Sequence, residues 1–402
     1  MKELFNINES PELGNVPPKM YAYVIKSDNH GGPMQSLREE VIETPQVGFD
    51  EVLIKVKAVG INYNGLWAAM ADPVSPTKFH GKDFHIAGSD ASGIIWKIGE
   101  GLVNNPNFKY KLGDEVIIHC GQSCGLCDEC NGGNTMLCLS QKIYGYETPY
   151  GSFAQYTAVK AAQLLRKPKH LKWDEAGSYM LTYATAWKML FGHAPNTLKP
   201  GMNVLVWGAS GGLGSAAIQL IKIAGANAIA VTSSKEKGEQ CMKLGAVGYI
   251  NRKNFNCWGD LPNVNDKEAY GEHLKEMRKF GKAIWEITGK NVNPDIVFEH
   301  VGKATFPTSC YVVKTGGMVV FCGATTGFNL SIDASYVWMR QKRIQGSHFS
   351  SLKELSDANK LVENAMFKPI ISKTYPWKDL PLAHLDMLNN NNTQFGNAAV
   401  ML

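Results

Sequence analysis

The sequence predicts an α/β protein in two parts, an antiparallel β-barrel or sandwich followed by a doubly wound parallel sheet. Three observations carry this. Up to Gly151 short strand-like runs are separated by glycine turns every roughly 10 to 20 residues. From Pro200 onward apolar strand runs alternate with helical ones. At the head of that second regime stands Asn203 to Leu220, NVLVWGASGGLGSAAIQL.

This stretch reads as a buried strand (Val204, Leu205, Val206, Trp207), a glycine turn, and an apolar helix opening at Ser215. Gly208, Gly211 and Gly214 divide three mechanical tasks: a tight turn, close approach of backbone amides to a pyrophosphate, and close packing of helix on strand. Gly212 and the amides of Ser210 and Leu213 complete a cradle at a helix N-terminus, where free N–H groups and the dipole favour phosphate. A glycine turn by itself would also suit an ordinary strand-to-helix loop. The strand before it, the helix after it and the βαβ spacing beyond favour a dinucleotide.

In chain order, strands are expected at Tyr21 to Ile25, at Glu51 to Asn62 with Ile54 and Val56 alternating against Lys55 and Lys57, at Ala91 to Ile98 and at Gly113 to Cys120. Trp173 to Leu190 reads as helix. Parallel strands follow at Asn203 to Trp207, Ala228 to Thr232, Gly248 to Ile250, Asp295 to Glu299, Gly317 to Cys322 and Arg343 to Ser347. The first 20 residues are polar and Pro-containing, an arm expected to lie on another surface. A charged, Trp-containing stretch from Lys253 to Lys282 interrupts the rhythm and is expected outside the sheet, as an oligomer contact or lid. The one low-complexity tract is Asn389 to Asn392.

At 402 residues the chain exceeds one ordinary core, so two domains are the natural expectation. With 44% apolar and 19% charged residues it has the composition of a soluble globular protein. The net charge of +5 is spread out, which leans toward anionic ligands but does not point to nucleic acid. No apolar run approaches the ~18 residues that span a bilayer, so no membrane association is expected. The N-terminus has no apolar core of a signal peptide. Five of nine cysteines fall between Cys120 and Cys138, which fits a metal knot in a reducing, cytoplasmic compartment better than a disulfide framework.

Within that cluster Cys124, Cys127 and Cys130 are spaced C-x-x-C-x-x-C and Cys138 follows. Four thiolates from one short loop can close a tetrahedral zinc site with no open position, which makes one structural Zn2+ the expectation. Cys120, outside the spacing, reads as a packed thiol.

The second parallel strand ends Val231-Thr232-Ser233-Ser234-Lys235, with no acid until Glu236. An NAD enzyme places Asp or Glu there for the ribose 2′-hydroxyl. Ser233, Ser234 and Lys235 suit a 2′-phosphate instead, and Arg252 adds a second cation, so NADPH is expected, although Lys235 also reads as a solvated helix-start lysine. Glu299-His300-Val301-Gly302 ends the strand where nicotinamide lies in this fold, and Gly323 follows the next strand; His300 reads as a satisfied imidazole. Arg340, Lys342 and Arg343 could meet CoA phosphates, but read more readily as a solvated face.

A barrel with a four-cysteine lobe followed by a GxxGxxG Rossmann domain resembles the medium-chain dehydrogenase/reductase superfamily over nearly the whole chain. The resemblance implies a GroES-like catalytic domain over residues 1-190 with the arm and zinc lobe, an NADPH-binding Rossmann domain over 191-345, and a return to the catalytic domain over 346-402. It also implies a homodimer or homotetramer, and Thr185, in Thr185-Ala186-Trp187, holding the cofactor by its hydroxyl. Where zinc-dependent members place their catalytic ligands this chain reads Gly60-Ile61-Asn62-Tyr63-Asn64 and Gly88-Ser89-Asp90, without thiolate or imidazole. That narrows the resemblance to the zinc-free branch, which reduces activated C=C bonds.

Within that branch NYNGLW from Asn62, AGSDASG from Ala87, IYGYETPYG from Ile143, VWGASGGLGS from Val206, FEHVG from Phe298 and VWMRQKRIQGSHF from Val337 resemble crotonyl-CoA carboxylase/reductases. In that family an Asn, a Phe-Glu pair and a His hold CO2 against the enolate left by hydride transfer. Here they correspond to Asn64, Tyr146 with Glu147, and His348. Taken from the residues alone, these also read as a turn amide, a loop carboxylate and a core imidazole. Tyr146 stands where the family has Phe, and its hydroxyl would bring water to the enolate, so trapping by a proton is expected beside trapping by CO2. The resemblance thus implies NADPH-dependent reduction of short 2-enoyl-CoA thioesters such as crotonyl- and acryloyl-CoA. The alternatives are a quinone or enone reductase acting without CoA, and an NADPH-binding protein without turnover.

Overall fold

The computed structural model describes residues 2–132, 134–389 and 395–402; of the asparagine tract only Asn389 is among them. The chain forms two compact units, Met1–Leu181 with Ser351–Thr393 and Asn397–Leu402, and Thr182–Ser350 with Gln394–Gly396.

The first unit is built on the 11-residue strand Glu51–Ile61. It pairs antiparallel with Ala91–Ile98, with Tyr156–Lys160 and with the returning strand Asn397–Met401. Together with Glu115–Ile118, Leu164–Arg166 and Ile371–Pro376 these make a seven-stranded sheet, and Lys19–Lys26, Arg38–Glu43 and Phe84–His85 make a three-stranded one. Met20, Ile25, Leu53, Ile54, Ile95, Phe153 and Tyr156 are buried among the residues that fill the space they enclose.

Lys55 departs from the expected alternation. It is buried, and its ammonium donates to the Glu9 carbonyl at 2.9 Å and to Ser10 Oγ. Burial pushes that ammonium down to about 8. The N-terminal arm is the cause: it lies across this same unit, with the Trp96 indole N–H donating to Asn15 O at 2.9 Å and the Gln155 amide to Phe5 O at 3.1 Å. A lysine on a strand face that reads as solvent is covered by a segment 45 residues away in sequence.

The second unit is a six-stranded parallel sheet. Its strands, numbered within the unit, run in the order 3-2-1-4-5-6, which is the dinucleotide-binding order. Val204, Leu205 and Val206 are consecutively buried because helices cover both faces. They lie in register with Ala228, Ile229 and Ala230 on one side and Ile296, Val297 and Phe298 on the other.

The stretch from Lys253 to Lys282 is not an external lid. Lys267–Thr288 is a 22-residue helix whose N-terminus is capped by Asp266. It buries Met277, Phe280 and Ile284, an i, i+3, i+7 stripe. Phe280 stacks on Trp207 at 5.4 Å between centroids, and Trp258 meets both rings edge-on. The insert is the crossover that returns the chain from the third strand to the fourth.

Among the described residues no helix is long and apolar enough to cross a membrane.

Candidate active site

Asn62, in extended conformation, ends the long strand and opens the helix Tyr63–Met70. Its amide does not cap that helix but donates to Asp90 Oδ2 at 2.9 Å, while Asp90 Oδ1 accepts the Leu181 N–H at 2.8 Å. Asp90 is fully buried, and burial raises its carboxyl to about 7 against the two hydrogen bonds that oppose it. The two segments where zinc enzymes of the superfamily place ligands are therefore spent on each other.

Asn64 follows in the first helical turn, half-buried. Its Oδ1 accepts the Gly65 N–H at 3.0 Å and its Nδ2 donates to Ser89 Oγ. Ser89 in turn donates to the carbonyl of Tyr144 at 2.7 Å, at the foot of the turn that carries Tyr146 and Glu147. That turn is pressed against the Gly88 backbone: a Cβ at Gly145, whose φ is +73°, would stand 1.9 Å from Gly88 O. No other residue fits there.

Glu147 folds back on its own turn, its Oε2 accepting the Ile143 N–H at 2.7 Å. Burial raises its pKa over the effect of that bond. Tyr146, expected to present a free hydroxyl, donates instead to Val74 O at 3.0 Å, and burial pushes its phenol up to about 12.

In the second unit the helix Gly212–Ile223 starts at Gly211 without any side-chain cap, so its first N–H groups are left for an anion. A Cβ at Gly214 would lie 2.5 Å from Gly208 O, which is the close helix–strand approach expected of it. Ser210, Gly212 and Leu213 line the same turn, half-buried. These features fit a dinucleotide pyrophosphate. Thr185 is buried in the helix Met180–Phe191. Gly323, φ +61°, follows the strand Met318–Phe321.

At the end of the second parallel strand Ser233 is half-buried, while Ser234 caps the helix Lys235–Leu244 by accepting the Lys237 N–H at 3.3 Å. Lys235 is exposed and within 3.7 Å of Glu239. Sequence reasoning missed Lys237, whose pKa is lowered by burial and then by the nearby charges of Arg252 and Lys253. Three cations are thus gathered where a 2′-phosphate is expected. The signal lay two residues past Lys235, in the same first turn of the helix.

The loop after the fourth strand is held by Glu299, a fully buried carboxylate with raised pKa. It accepts the N–H groups of Val301 at 2.7 Å and Gly302 at 3.2 Å and the hydroxyls of Thr305 at 2.9 Å and Ser309 at 2.6 Å. His300 Nε2 is 2.9 Å from Trp207 O, a satisfied imidazole as expected. His348 follows the edge strand Arg343–Gly346, accessible to solvent but crowded enough to lower its pKa. Lys342 is not a solvated cation: it donates to the carbonyls of Cys310 at 2.8 Å and Tyr311 at 2.9 Å.

The four cysteine sulfurs of Cys124, Cys127, Cys130 and Cys138 all lie within 4.8 Å of one another. Cys127 and Cys130 are 3.6 Å apart and Cys124 and Cys130 3.9 Å. A tetrahedron with Zn–S bonds of about 2.3 Å has edges of about 3.8 Å, so the group fits zinc.

Comparison with known proteins agrees with this geometry. Residues 48–169 match the alcohol dehydrogenase GroES-like domain and residues 212–364 the zinc-binding dehydrogenase family. The crotonyl-CoA carboxylase/reductase of Cereibacter sphaeroides is 56% identical over 401 residues, covering 100% of this chain and 92% of that protein. The chain belongs to the crotonyl-CoA carboxylase/reductase family. This places it in the medium-chain dehydrogenase/reductase superfamily and bears out both the GroES-like barrel and the Rossmann domain. The crotonyl-CoA carboxylase/reductase AntE, solved in complex with NADP, superposes with a TM-score of 0.93 at 41% identity, over 100% of this chain and 99% of its own. A second relative, the 2-octenoyl-CoA carboxylase reductase CinF in complex with NADP and 2-octenoyl-CoA, gives 0.87 at 35% identity, over 96% and 88%. Both relatives thus share this fold over 96–100% of this chain.

Proposed function

We propose that this chain is an NADPH-dependent reductase of short 2-enoyl-CoA thioesters that traps the resulting enolate with CO2 or a proton. The observation that carries the reading is the family membership at 56% identity together with the placement of Asn64 on one hydrogen-bonded scaffold with the Tyr146–Glu147 turn. When bound, NADPH supplies a hydride to the β-carbon of the thioester, and the electron pair of the C=C bond moves onto the α-carbon and carbonyl oxygen. Attack of the α-carbon on CO2 forms the new C–C bond and leaves a carboxylate: ethylmalonyl-CoA from crotonyl-CoA, methylmalonyl-CoA from acryloyl-CoA. Protonation of the same carbon gives the saturated thioester.

In this reading Asn64 donates an N–H to a CO2 oxygen, a neutral donor that polarises without protonating. Glu147, held by the Ile143 N–H, and His348 orient CO2 and water; Tyr146 closes the turn. The uncapped helix at Gly211 to Gly214, with Gly208 and Ser210, takes the pyrophosphate. Ser233, Ser234, Lys235 and Arg252 take the 2′-phosphate, and Thr185 and Gly323 flank the nicotinamide. We further propose one structural zinc on Cys124, Cys127, Cys130 and Cys138, a homodimer or homotetramer, residence in the cytoplasm, a catalytic part of residues 1-190 and 346-402, and a cofactor part of 191-345. The clustering of five of the nine cysteines between Cys120 and Cys138 supports a reducing compartment.

The test follows NADPH oxidation with crotonyl-CoA and acryloyl-CoA, with and without bicarbonate, and identifies products by mass. Turnover of both thioesters with bicarbonate-dependent malonyl-type products is expected. Turnover of free enones alone would turn the assignment to an enone reductase, and NADPH binding without turnover to a non-catalytic protein. Glu147→Ala and His348→Ala are expected to lower CO2 trapping more than hydride transfer. Metal analysis is expected to return about one zinc per chain, lost in Cys127→Ser.

A further inference from the structure

We propose that Ser89 is the positioning residue for Asn64, setting which way round its side-chain amide stands and so making it a donor toward CO2. This rests on the reading of Asn64 given above. The polarity of the chain Asn64–Ser89–Tyr144 is fixed at the Tyr144 end by a backbone group that cannot reverse its role. The Tyr144 carbonyl only accepts, so the single proton of Ser89 is committed to it at 2.7 Å. Ser89 then has only lone pairs to offer Asn64, and the atom facing it must be Nδ2. On the other side Oδ1 accepts the Gly65 N–H at 3.0 Å, an N–H it shares with the Asn62 carbonyl at 3.1 Å.

One N–H of the Asn64 amide is consumed by Ser89, and the second is left for an oxygen of a ligand. An inverted amide would present its carbonyl instead, which repels the oxygens of CO2 and holds water by accepting its proton. Ser89 is only 1% exposed, so water does not replace its hydroxyl without opening the fold. The contact of Gly145 with the Gly88 backbone keeps Ser89 and Tyr144 from separating. Asp90, next in sequence, anchors Asn62 at the start of the same helix and so fixes the backbone from which Asn64 projects.

The experiment uses full-length enzyme with NADPH, crotonyl-CoA and bicarbonate, and measures the ratio of carboxylated to reduced product alongside kcat. Ser89→Ala is expected to lower that ratio about five- to tenfold, the worth of one ordered hydrogen bond, and to change kcat less than about twofold. Ser89→Cys, with a weak donor and acceptor of similar size, is expected to fall between, and serves if the alanine variant does not fold. Asn64→Ala is expected to lower the ratio as well, and the double variant to be no worse than Asn64→Ala alone. Equal losses in ratio and kcat for Ser89→Ala, or additive losses in the double variant, overturn the inference. If Asn64→Ala lowers the ratio and Ser89→Ala does not, this inference fails alone. If Asn64→Ala leaves the ratio unchanged, the reading of Asn64 fails and this one with it.

Discussion

Asp90 accepts the side-chain amide of Asn62 at 2.9 Å with no solvent on the carboxyl. Burial raises that carboxyl from its ordinary 3.8 to about 7. Unfolded, Asp90 releases its proton above about pH 4; folded, it does so only near 7. Its contribution to stability is therefore complete below pH 4 and is lost as pH rises through 7. Urea unfolding of the wild type and of Asp90→Asn, which does not ionise, is expected to show the difference between them shrinking by about 2–4 kcal/mol from pH 4 to pH 7.5 and constant beyond. Parallel curves across that range would count against a buried, titrating Asp90.

The cations at the end of the second and third parallel strands lead to a cofactor test. Lys237 lies near Arg252 and Lys253, whose charges help to lower its pKa. Arg252→Ala and Lys237→Ala are each expected to raise KM for NADPH about tenfold with kcat retained, and to leave KM for NADH within about twofold. Added salt should narrow the gap between wild type and variants. A matching rise for NADH would mean that these side chains meet some other part of the cofactor.

Tyr146 carries a phenol hydroxyl in the turn beside Glu147. Because that hydroxyl donates to Val74 O at 3.0 Å, its proton is not offered to the enolate. Tyr146→Phe is expected to leave the ratio of carboxylated to reduced product within about twofold, and to cost about 1 kcal/mol of stability through the lost bond. Product analysis by mass and thermal unfolding measure the two; a several-fold gain in carboxylation would show that the hydroxyl does bring water to the reaction.

Glu299 gathers two backbone and two hydroxyl donors around a buried carboxylate. Glu299→Gln replaces one acceptor oxygen by a donor that faces other donors. A loss of about 2–3 kcal/mol is expected. It should appear as a fall in Tm of about 4–10 °C, with weaker NADPH binding because the loop at His300 loosens. Calorimetry and fluorescence titration check both, and an unchanged Tm would mean that the loop is held by other contacts.

Patterns confined to a short window are legible in the sequence. The strand–turn–helix at Asn203 to Leu220 and the C-x-x-C-x-x-C spacing depend on near neighbours, and both appear at the expected residues. The crossover helix carries its stripe in Met277, Phe280 and Ile284, but the charge density around them hides the period. Lys55 defeats a strand-by-strand reading because alternation cannot reveal that a distant arm covers the polar face.

By itself, then, the sequence determined the two-part α/β architecture, the dinucleotide turn and the four-cysteine cluster, because each is written in periods and spacings of a few residues. Tertiary structure alone decided how Asn64 is oriented, which cations stand together and where the Tyr146 hydroxyl goes. Those depend on hydrogen bonds between residues as far apart as Ser89 and Tyr144, 55 positions along the chain, and on burial that only the closed fold creates.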